Sequence, residues 1–358
     1  MKDTILFGDC RESLKTIATS DTKARMCVTS PPYYGLRDYG TATWIGGDPN
    51  CNHRRDTKVK PENCNTGHKN HDEMSGVGDA IYKTVCPKCG AIRQDSQIGL
   101  EQTPEDYVKE MVKVFSLVRD CLTDDGTLWL NIGDSYYNYR SDGNYPKQTV
   151  SKTRQDLPQS TPVRGNKLEG LKQKDLIGIP WMLAFALRAD GWYLRQDIIW
   201  HKPNPMPESV KDRCTKAHEY IFLLSKSKNY YYDNEAIKEP AKDWGTRDRT
   251  NGKYHNPGSG LAPHSGLTKS YSTKNKRSVW SVTKKPYKGA HFAVFPPELI
   301  EPCILAGSEV GDTILDPFMG SGTSAMVAKS LGRYYTGCEL HEDYGNLSLI
   351  HISEPTRR

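Results

Sequence analysis

Apolar positions in this 358-residue chain follow two alternating patterns. One is the three-to-four-residue spacing of a helix with one buried face, and it is strongest in Thr103–Leu122, where large apolar residues recur from Tyr107 onward. Thr103 suits the N-cap and Pro104 suits the first helical position, so the pattern also predicts where this helix begins. The other pattern is the short apolar run of a buried strand. Helices and strands in alternation predict an α/β fold with a parallel sheet.

The remaining predicted elements follow from the same two patterns. The strands are Thr4–Phe7, Ala24–Thr29, Gly126–Ile132, Tyr193–Trp200, Glu219–Ser225, Thr313–Leu315 and Tyr334–Glu339. The other helices are Arg11–Ile17, Ile179–Ala189, Pro297–Ala306 and Thr323–Leu331. Residues 34–100, 138–173 and 240–290 are polar with little periodicity, so we predict insertions and long loops there.

Charge and cysteine content narrow the class of protein. The formal net charge is +6, and the basic residues concentrate in 140–290, which permits a polyanionic partner without requiring one. No apolar run reaches the roughly 18–20 residues that cross a bilayer, and the N-terminus lacks the pattern of a secretory signal. We therefore expect a cytoplasmic protein with no membrane partner. Ten cysteines in such a protein favour metal binding or core thiols over disulfides.

The C-terminal residues are unlike the rest of the chain. The string Leu-Ser-Leu-Ile-His-Ile-Ser-Glu-Pro-Thr-Arg (347–357) resembles a translated sequencing adapter. We exclude residues 347–358 from fold reasoning as an artefactual tail and expect the native protein to have continued differently beyond about residue 346. The alternative is a genuine polar tail.

A glycine-rich turn follows the strand Thr313–Leu315 and reads Asp-Pro-Phe-Met-Gly-Ser-Gly-Thr (316–323). Glycines at a strand-to-helix turn let the backbone approach a ligand closely, and the first N–H groups of the helix suit a carboxylate. The next strand ends in Glu339, where a carboxylate is well placed for ribose hydroxyls. The pattern predicts a nucleoside site at the carboxyl ends of parallel strands.

This string resembles the cofactor motifs of DNA amino-methyltransferases, which bind S-adenosylmethionine. The resemblance implies a Rossmann-like methyltransferase fold with a mixed, mainly parallel seven-stranded sheet. The cofactor-binding residues that it implies are Asp9, Asp316, Phe318, Gly320, Ser321, Gly322, Thr323 and Glu339. Residues 291–299 resemble the motif that completes the methionine pocket, which adds Phe295 and Pro296. Those two residues could instead only pack against the helix that follows.

The segment Ser30-Pro31-Pro32-Tyr33, after the second strand, resembles the catalytic motif of the same family. An exocyclic base amine is a poor nucleophile because its lone pair is delocalised into the ring. The Ser30 hydroxyl oxygen and the Pro31 carbonyl can accept hydrogen bonds from the two amine hydrogens, which frees the lone pair to attack a sulfonium methyl group. Pro31 and Pro32 hold the carbonyl rigidly, and Tyr33 can stack on a base flipped out of the duplex. The alternative is an ordinary strand-ending turn.

The order of the motifs is also informative. The catalytic motif precedes the cofactor motif, which resembles the circularly permuted β-type arrangement of this family. That arrangement implies a catalytic domain of residues 1–232 and 291–346, a target-recognition segment at 233–290, and double-stranded DNA as partner. It also implies a bacterial or phage-encoded protein, acting alone or beside a cognate restriction endonuclease. Residues 129–136 and 200–204 resemble further catalytic-side motifs.

The target base is less sharply predicted than the chemistry. A serine as first motif residue resembles the N4-cytosine group, whereas N6-adenine enzymes usually carry Asp or Asn. We therefore expect N4-cytosine methylation, with N6-adenine methylation as the alternative. Methylation of RNA or of a protein side chain, or an inactive DNA-binding module, are further alternatives. Lysines and arginines within 247–277 can neutralise phosphates, although a solvated charged loop has the same composition.

The insertion 45–98 carries a second candidate site. Cys86-Pro87-Lys88-Cys89-Gly90 has the form of a zinc knuckle, and Cys51 and His53 offer another ligand pair. Four such ligands would hold a structural zinc and staple a segment that lacks its own core. Competing ligands are Cys64, His68 and His71, and the alternative is free thiols in a loop. The other cysteines, expected in the core, are Cys10, Cys27, Cys121, Cys214, Cys303 and Cys338.

Overall fold

The structure is a computed structural model that describes residues 1–35, 43–53, 85–94, 97–137, 168–241, 272–284 and 295–340. Its strands are β1 Thr4–Phe7, β2 Ala24–Thr29, β3 Thr43–Ile45, β4 Ile92–Gln94, β5 Leu122–Ile132, β6 Tyr193–His201, β7 His218–Ser225, β8 Glu239–Pro240, β9 Thr273–Lys274, β10 Val279–Ser281, β11 Thr313–Asp316 and β12 Tyr334–Glu339. Its helices are α1 Cys10–Ala18, α2 Pro104–Cys121, α3 Ile179–Ala189, α4 Pro297–Gly307 and α5 Thr323–Ser330.

The main sheet has the strand order β1-β12-β11-β2-β5-β7-β6-β10. Every neighbouring pair is parallel except β5 with β7 and β6 with β7, so β7 alone runs against the other strands of this sheet. The prediction of a mixed, mainly parallel sheet with helices between strands is confirmed. β2 and β11, which are almost three hundred residues apart in sequence, lie side by side at its centre.

The sheet has eight strands where seven were predicted, and this prediction is corrected. All seven predicted segments are strands, and the additional one is β10, at the edge beside β6. β10 is only three residues long, and Trp280 is the one large side chain that it buries. Three residues are too few for an alternation of apolar and polar positions to be recognised, so the sequence of β10 does not indicate a strand.

Two hydrophobic cores lie on opposite faces of the sheet. On β5, Leu128, Leu130 and Ile132 point into one core, whereas Trp129 points into the other. This alternation is the period of two that a strand imposes on its side chains. Helices α1, α2 and α3 supply the first core, and α4 and α5 supply the second. The fold is therefore a three-layer α/β/α sandwich.

Helix α2 begins as the sequence predicts. The backbone N–H of Asp106 donates to the Thr103 hydroxyl at 3.1 Å, and Pro104 occupies the first turn. The apolar stripe from Tyr107 to Val118 is buried. The helix ends at Cys121 and the chain passes directly into β5. Among the described helices, none combines the length and the apolar character needed to span a membrane.

Five of the six cysteines that were expected in the core are buried, and Cys214 is the exception. Cys214 is exposed because it lies in the polar connection between β6 and β7, outside any regular element. Several predictions fall outside the described residues. They concern Cys64, His68, His71, residues 291–294, most of the segment 233–290 and the tail 347–358.

Candidate active site

The residues of both predicted motifs lie at one edge of the sheet. Ser30 follows β2, the glycine turn follows β11, and Glu339 is the last residue of β12. Because β2, β11 and β12 are parallel, their carboxyl ends point to the same edge. Ligands of open α/β sheets bind in the crevice at this edge. The fold thus brings together motifs that stand far apart in the sequence.

Asp316 connects the two motifs. The Thr29 hydroxyl donates to its Oδ1 at 2.6 Å, and the Ser324 hydroxyl donates to its Oδ2 at 2.5 Å. The backbone N–H of Phe318 also donates to Oδ1, at 3.0 Å. Burial raises the pKa of Asp316 to about 6, although these three donors act to lower it. Asp316 is 2% exposed, so its carboxylate braces the turn from within and does not face the crevice.

The glycine turn has the backbone that its sequence predicts. Gly320 and Gly322 have φ angles of 54° and 77°, in the left-handed region that favours glycine. Gly322 is the N-cap of α5 and has no side chain with which to cap the helix, so the first-turn N–H groups suit an anionic ligand. The turn lies so close to β12 that a Cβ on Gly337 would collide with the Met319 side chain.

Glu339 extends from the end of β12 to this turn. The backbone N–H of Gly320 donates to Glu339 Oε2 at 2.8 Å, and the N–H of Gly8 donates to the Glu339 carbonyl at 2.9 Å. A glycine turn, a helix N-terminus and a carboxylate therefore meet at one point. This donor and acceptor set fits the carboxylate and ribose of an amino-acid nucleoside such as S-adenosylmethionine.

The structure describes the surroundings of the other residues expected at the cofactor. Asp9 follows β1 and caps α1, where its carboxylate accepts hydrogen bonds from the backbone and side chain of Arg11. Burial alone would raise the pKa of Asp9, but the bonds from Arg11 outweigh it and lower the pKa. Pro296 is the N-cap of α4, and Ser321 and Thr323 are buried.

The two phenylalanines of the cofactor prediction lie on different sides of the sheet. Phe318 packs against the core under α1, α2 and α3, whereas Phe295 packs against the core under α4 and α5. Both side chains are only partly buried. Each ring therefore keeps part of its surface accessible to solvent.

The catalytic segment is held from two directions. The Tyr107 hydroxyl of α2 donates to the Pro32 carbonyl at 2.9 Å. The Ser30 hydroxyl donates to the Tyr33 hydroxyl at 3.4 Å, and the Tyr33 hydroxyl donates to Glu219 Oε2 at 2.8 Å. Within the described residues, no donor reaches the Pro31 carbonyl. Ser30 is partly exposed, whereas Pro31 is buried.

Glu219, which the sequence prediction missed, is the centre of a polar network with Asn131 and Lys202 from the segments 129–136 and 200–204. Its other oxygen forms an ion pair with Lys202, and Asn131 donates to the neighbouring Tyr220 carbonyl at 3.1 Å. Lys202 also lies 4.2 Å above the ring of Trp200. Burial lowers the pKa of Lys202 to about 8, although the negative charge of Glu219 acts to raise it. The available signal was a glutamate at the start of an otherwise apolar strand, where an unpaired charge is costly.

The segment 129–136 supports Tyr33 and α3. A Cβ on Gly133 would come within 2.7 Å of the Tyr33 ring, so glycine is needed for the tyrosine to lie against the end of β5. Asp134 accepts hydrogen bonds from the backbone N–H groups of Gly178 and Ile179, at the N-terminus of α3. A carboxylate at this end of a helix is stabilised by the helix dipole. Gly133 and Asp134 therefore help to position the Tyr33 ring and the N-terminus of α3.

The predicted metal ligands also come together. Cys51, His53, Cys86 and Cys89 each present a ligand atom, and the four atoms lie within 4.8 Å of one another. They join two segments that are separated by more than thirty residues and meet at the two-stranded ribbon β3–β4.

The basic residues predicted to bind DNA are described only in part. Lys274, Lys276 and Arg277 surround Glu239, with nitrogen-to-oxygen distances of 4.0, 3.8 and 3.3 Å. Glu239 therefore neutralises part of the positive charge at this point, and the Arg277 side chain remains largely exposed.

Comparison with known proteins agrees with this geometry. Residues 24–349 match a family of N6 and N4 methyltransferases described as DNA methylase. The Type II methyltransferase M.SmaI of Serratia marcescens is 41% identical over 353 residues, which cover 97% of this chain and 90% of that protein.

Two solved structures share the fold at low sequence identity. The cytosine-N4-specific PvuII DNA methyltransferase superposes with a TM-score of 0.53 at 14% identity, over 100% of this chain and 89% of that one. TTHA0409 of Thermus thermophilus, solved in complex with S-adenosyl-L-methionine, has a TM-score of 0.50 at 20% identity, over 98% and 93% of the two chains. With most of its length matched by the family and by a close relative, the chain belongs to the DNA methylase family of N6 and N4 methyltransferases.

Proposed function

We propose that this DNA methyltransferase transfers a methyl group from S-adenosylmethionine to the exocyclic N4 amine of a cytosine in double-stranded DNA. The observation that carries the proposal is the hydrogen bond from Thr29 to Asp316. Thr29 immediately precedes Ser30, and Asp316 begins the glycine turn, so this bond holds the amine-binding segment beside the nucleoside-binding turn. The cofactor, when bound, supplies an electrophilic methyl group on a positively charged sulfur.

The cofactor-binding residues are assigned from the contacts at the turn. Gly320 and Gly322 let the backbone approach the ligand, and the N-terminus of α5 receives its carboxylate. Glu339, held by the Gly320 N–H, faces the ribose. Phe295 and Phe318 contribute apolar surface on either side, and Asp316 acts through the shape of the turn.

The hydrogen-bond directions at Ser30 support its role as an acceptor. The Glu219 carboxylate can only accept, so the Tyr33 hydroxyl donates its proton to Glu219. The Tyr33 oxygen then accepts the proton of Ser30, which turns the lone pairs of Ser30 outward. Burial and the charge of Glu219 raise the pKa of Tyr33 well above its usual value, so the phenol remains a donor.

Two acceptors therefore converge on the substrate amine. The Ser30 oxygen and the Pro31 carbonyl accept its two N–H bonds and bias the nitrogen toward tetrahedral geometry. The nitrogen would attack the methyl carbon in line, the carbon–sulfur bond would break with its electron pair remaining on sulfur, and the surplus amine proton would pass to solvent. Because the amine is hidden in a duplex, the cytosine must be flipped into the site. Residues 233–290 are assigned to target recognition, and the rest of the chain to residue 346 to the catalytic domain in its permuted order.

Serine at position 30 supports cytosine as the base, by its resemblance to N4-cytosine enzymes. The chemistry also permits adenine N6, and identification of the modified base decides between them. The relative M.SmaI is named a Type II methyltransferase. We propose that this chain likewise belongs to a Type II restriction–modification system. We extend this to a cognate endonuclease as partner.

The proposal is tested by transfer of a labelled methyl group to duplex DNA. We expect Ser30→Ala to lower the transfer rate by about 10²-fold because one of two positioning acceptors is lost. We expect its Kd for the cofactor to stay unchanged. Ser330→Ala, on the exposed end of α5, is the matched control. An equal loss of cofactor binding and transfer in Ser30→Ala would contradict the role of Ser30.

A further inference from the structure

Two of the distances within the cysteine–histidine cluster match those between the ligands of a tetrahedral zinc ion. The sulfurs of Cys51 and Cys86 are 3.8 Å apart, and the Cys89 sulfur is 3.5 Å from Nδ1 of His53. Tetrahedral zinc has bonds of about 2.3 Å to sulfur and about 2.0–2.1 Å to nitrogen. This geometry places two sulfur ligands roughly 3.8 Å apart, and a sulfur and a nitrogen ligand roughly 3.5 Å apart. Both distances agree. A Cys51–Cys86 disulfide would need sulfurs about 2.05 Å apart.

The backbone around Cys86 and Cys89 forms a tight knuckle. The N–H of Gly90 donates to the Cys86 carbonyl at 2.7 Å, and the N–H of Cys86 donates to the Ala91 carbonyl at 2.8 Å. Gly90 has a φ of 76°, which glycine adopts without strain. This turn directs both thiols to the same side.

The second ligand segment is packed against the knuckle. Gly47 has a φ of 75°, and a Cβ there would lie 2.8 Å from the Cys89 sulfur. β3 pairs with β4 so that Thr43 lies opposite Gln94 and Ile45 lies opposite Ile92. This antiparallel pairing brings the residues that follow β3 beside those that precede β4. The close contact between Gly47 and the Cys89 sulfur shows that the two ligand segments are tightly packed, which a chance cluster of surface thiols would not require.

His53 is held in a costly conformation with its ring aimed at the cluster. Its φ is 50°, in the left-handed region, which is uncommon for a residue with a side chain. Its ring stacks on Trp44 with centroids 4.3 Å apart and planes at 18°. This stacking fixes the ring so that Nδ1 faces Cys89.

From these contacts we infer that Cys51, His53, Cys86 and Cys89 bind one zinc ion, and that this zinc fixes the insertion beside the catalytic segment. Four protein ligands close the tetrahedron and leave no position for substrate, so the site is structural. Among the described residues of 45–53 and 85–93, only Cys86 and Ala91 are buried, so the metal would supply the stability that a core would otherwise give there.

The insertion reaches the active site at its two ends. The N–H of Gly35 donates to the Gly99 carbonyl at 2.9 Å, which closes the insertion two residues after Tyr33. A Cβ on Gly99 would lie 3.1 Å from the Tyr33 carbonyl, so the returning chain lies directly on the catalytic segment. The proposed zinc ligands lie in the sequence between these two contact points.

The metal content of the full chain, purified under reducing conditions without added metal, tests the site. We expect about one zinc per chain by elemental mass spectrometry, and less than about 0.1 in Cys86→Ser and in His53→Ala. Cys214→Ser removes an exposed cysteine outside the cluster and is expected to retain about one zinc. Wild-type protein without zinc, or ligand variants that keep it, would overturn the inference.

Cobalt substitution of wild-type protein avoids any folding defect of the variants. Cobalt in a tetrahedral site with three thiolates gives strong visible absorption, and we expect this band together with loss of bound zinc. A Cys51–Cys86 disulfide in freshly purified protein, found by mass mapping, would overturn the inference as well. Both experiments measure metal binding or thiol state without a turnover readout, so the zinc site and the proposed function can fail separately.

Discussion

The hydroxyl of Tyr33 lies 2.8 Å from Oε2 of Glu219, and this contact sets the direction of the hydrogen bonds at the catalytic segment. Glu219 accepts from Tyr33, and Tyr33 accepts from Ser30. The hydroxyl of Ser30 is thereby oriented as an acceptor before any substrate arrives. Such preorganised groups contribute more to catalysis than groups that must reorient during the reaction.

The variant Tyr33→Phe separates the hydrogen bonding of the Tyr33 hydroxyl to Ser30 from the stacking of its ring on the base. Phenylalanine keeps the ring but loses the oxygen that accepts from Ser30. We expect kcat to fall by about 3–10-fold, the value of one hydrogen bond, with little change in KM. Tyr334→Phe, at the opposite end of β12, serves as the control. Unchanged kcat in Tyr33→Phe would mean that Tyr33 only stacks.

Glu219→Gln is expected to destabilise the fold because it leaves the buried Lys202 without its partner. Removal of one member of a buried ion pair costs about 3–5 kcal/mol. The double variant Glu219→Gln, Lys202→Met should recover part of this loss, since neither charge then remains. Urea unfolding of the four proteins in the cycle measures the coupling. Additive losses would show that the two side chains do not interact.

Glu339→Gln tests the nucleoside end of the site. A hydrogen bond to a charged group contributes about 1.5–3 kcal/mol, so we expect Kd for S-adenosylmethionine to rise by about 10–100-fold. Titration calorimetry measures this without turnover. Glu309→Gln changes an exposed carboxylate at the amino end of β11 and should bind as wild type does. Normal binding by Glu339→Gln would remove Glu339 from the cofactor site.

Asp316→Asn gives a prediction about pH. Because the pKa of Asp316 is raised to about 6 in the folded protein, the stability due to its protonation is fully present below the unfolded value of 3.8. That stability is lost as the pH rises through about 6. Relative to Asp316→Asn, wild-type protein should lose about 1 kcal/mol of unfolding free energy between about pH 5 and about pH 8.

Chemical unfolding of wild type and Asp316→Asn at several pH values measures this difference. Asp120→Asn, which alters an exposed carboxylate at the end of α2, is the control and should show no such trend. A difference that is constant from about pH 5 to about pH 8 would contradict the burial argument.

Much of the fold was predictable because it depends on local patterns. The spacing of apolar residues in α2 indicates a helix, and the short apolar runs of β2, β5 and β7 indicate buried strands. Cys86 and Cys89 were recognisable because knuckle spacing is local. Thr29 and Glu219 were not predicted as site residues, because their importance arises from contacts across the sheet. Lys202 lies in the motif-like segment 200–204, but its pairing with Glu219 was not predicted. No local pattern indicates that Thr29 meets Asp316 or that Glu219 meets Tyr33.

Nucleoside analysis by mass spectrometry of duplex DNA treated with the protein and S-adenosylmethionine tests the central claim most directly. DNA treated with Ser30→Ala supplies the background. We predict N4-methylcytosine in wild-type reactions, depleted in Ser30→Ala. N6-methyladenine in its place, or no methylated base at all, would contradict the account.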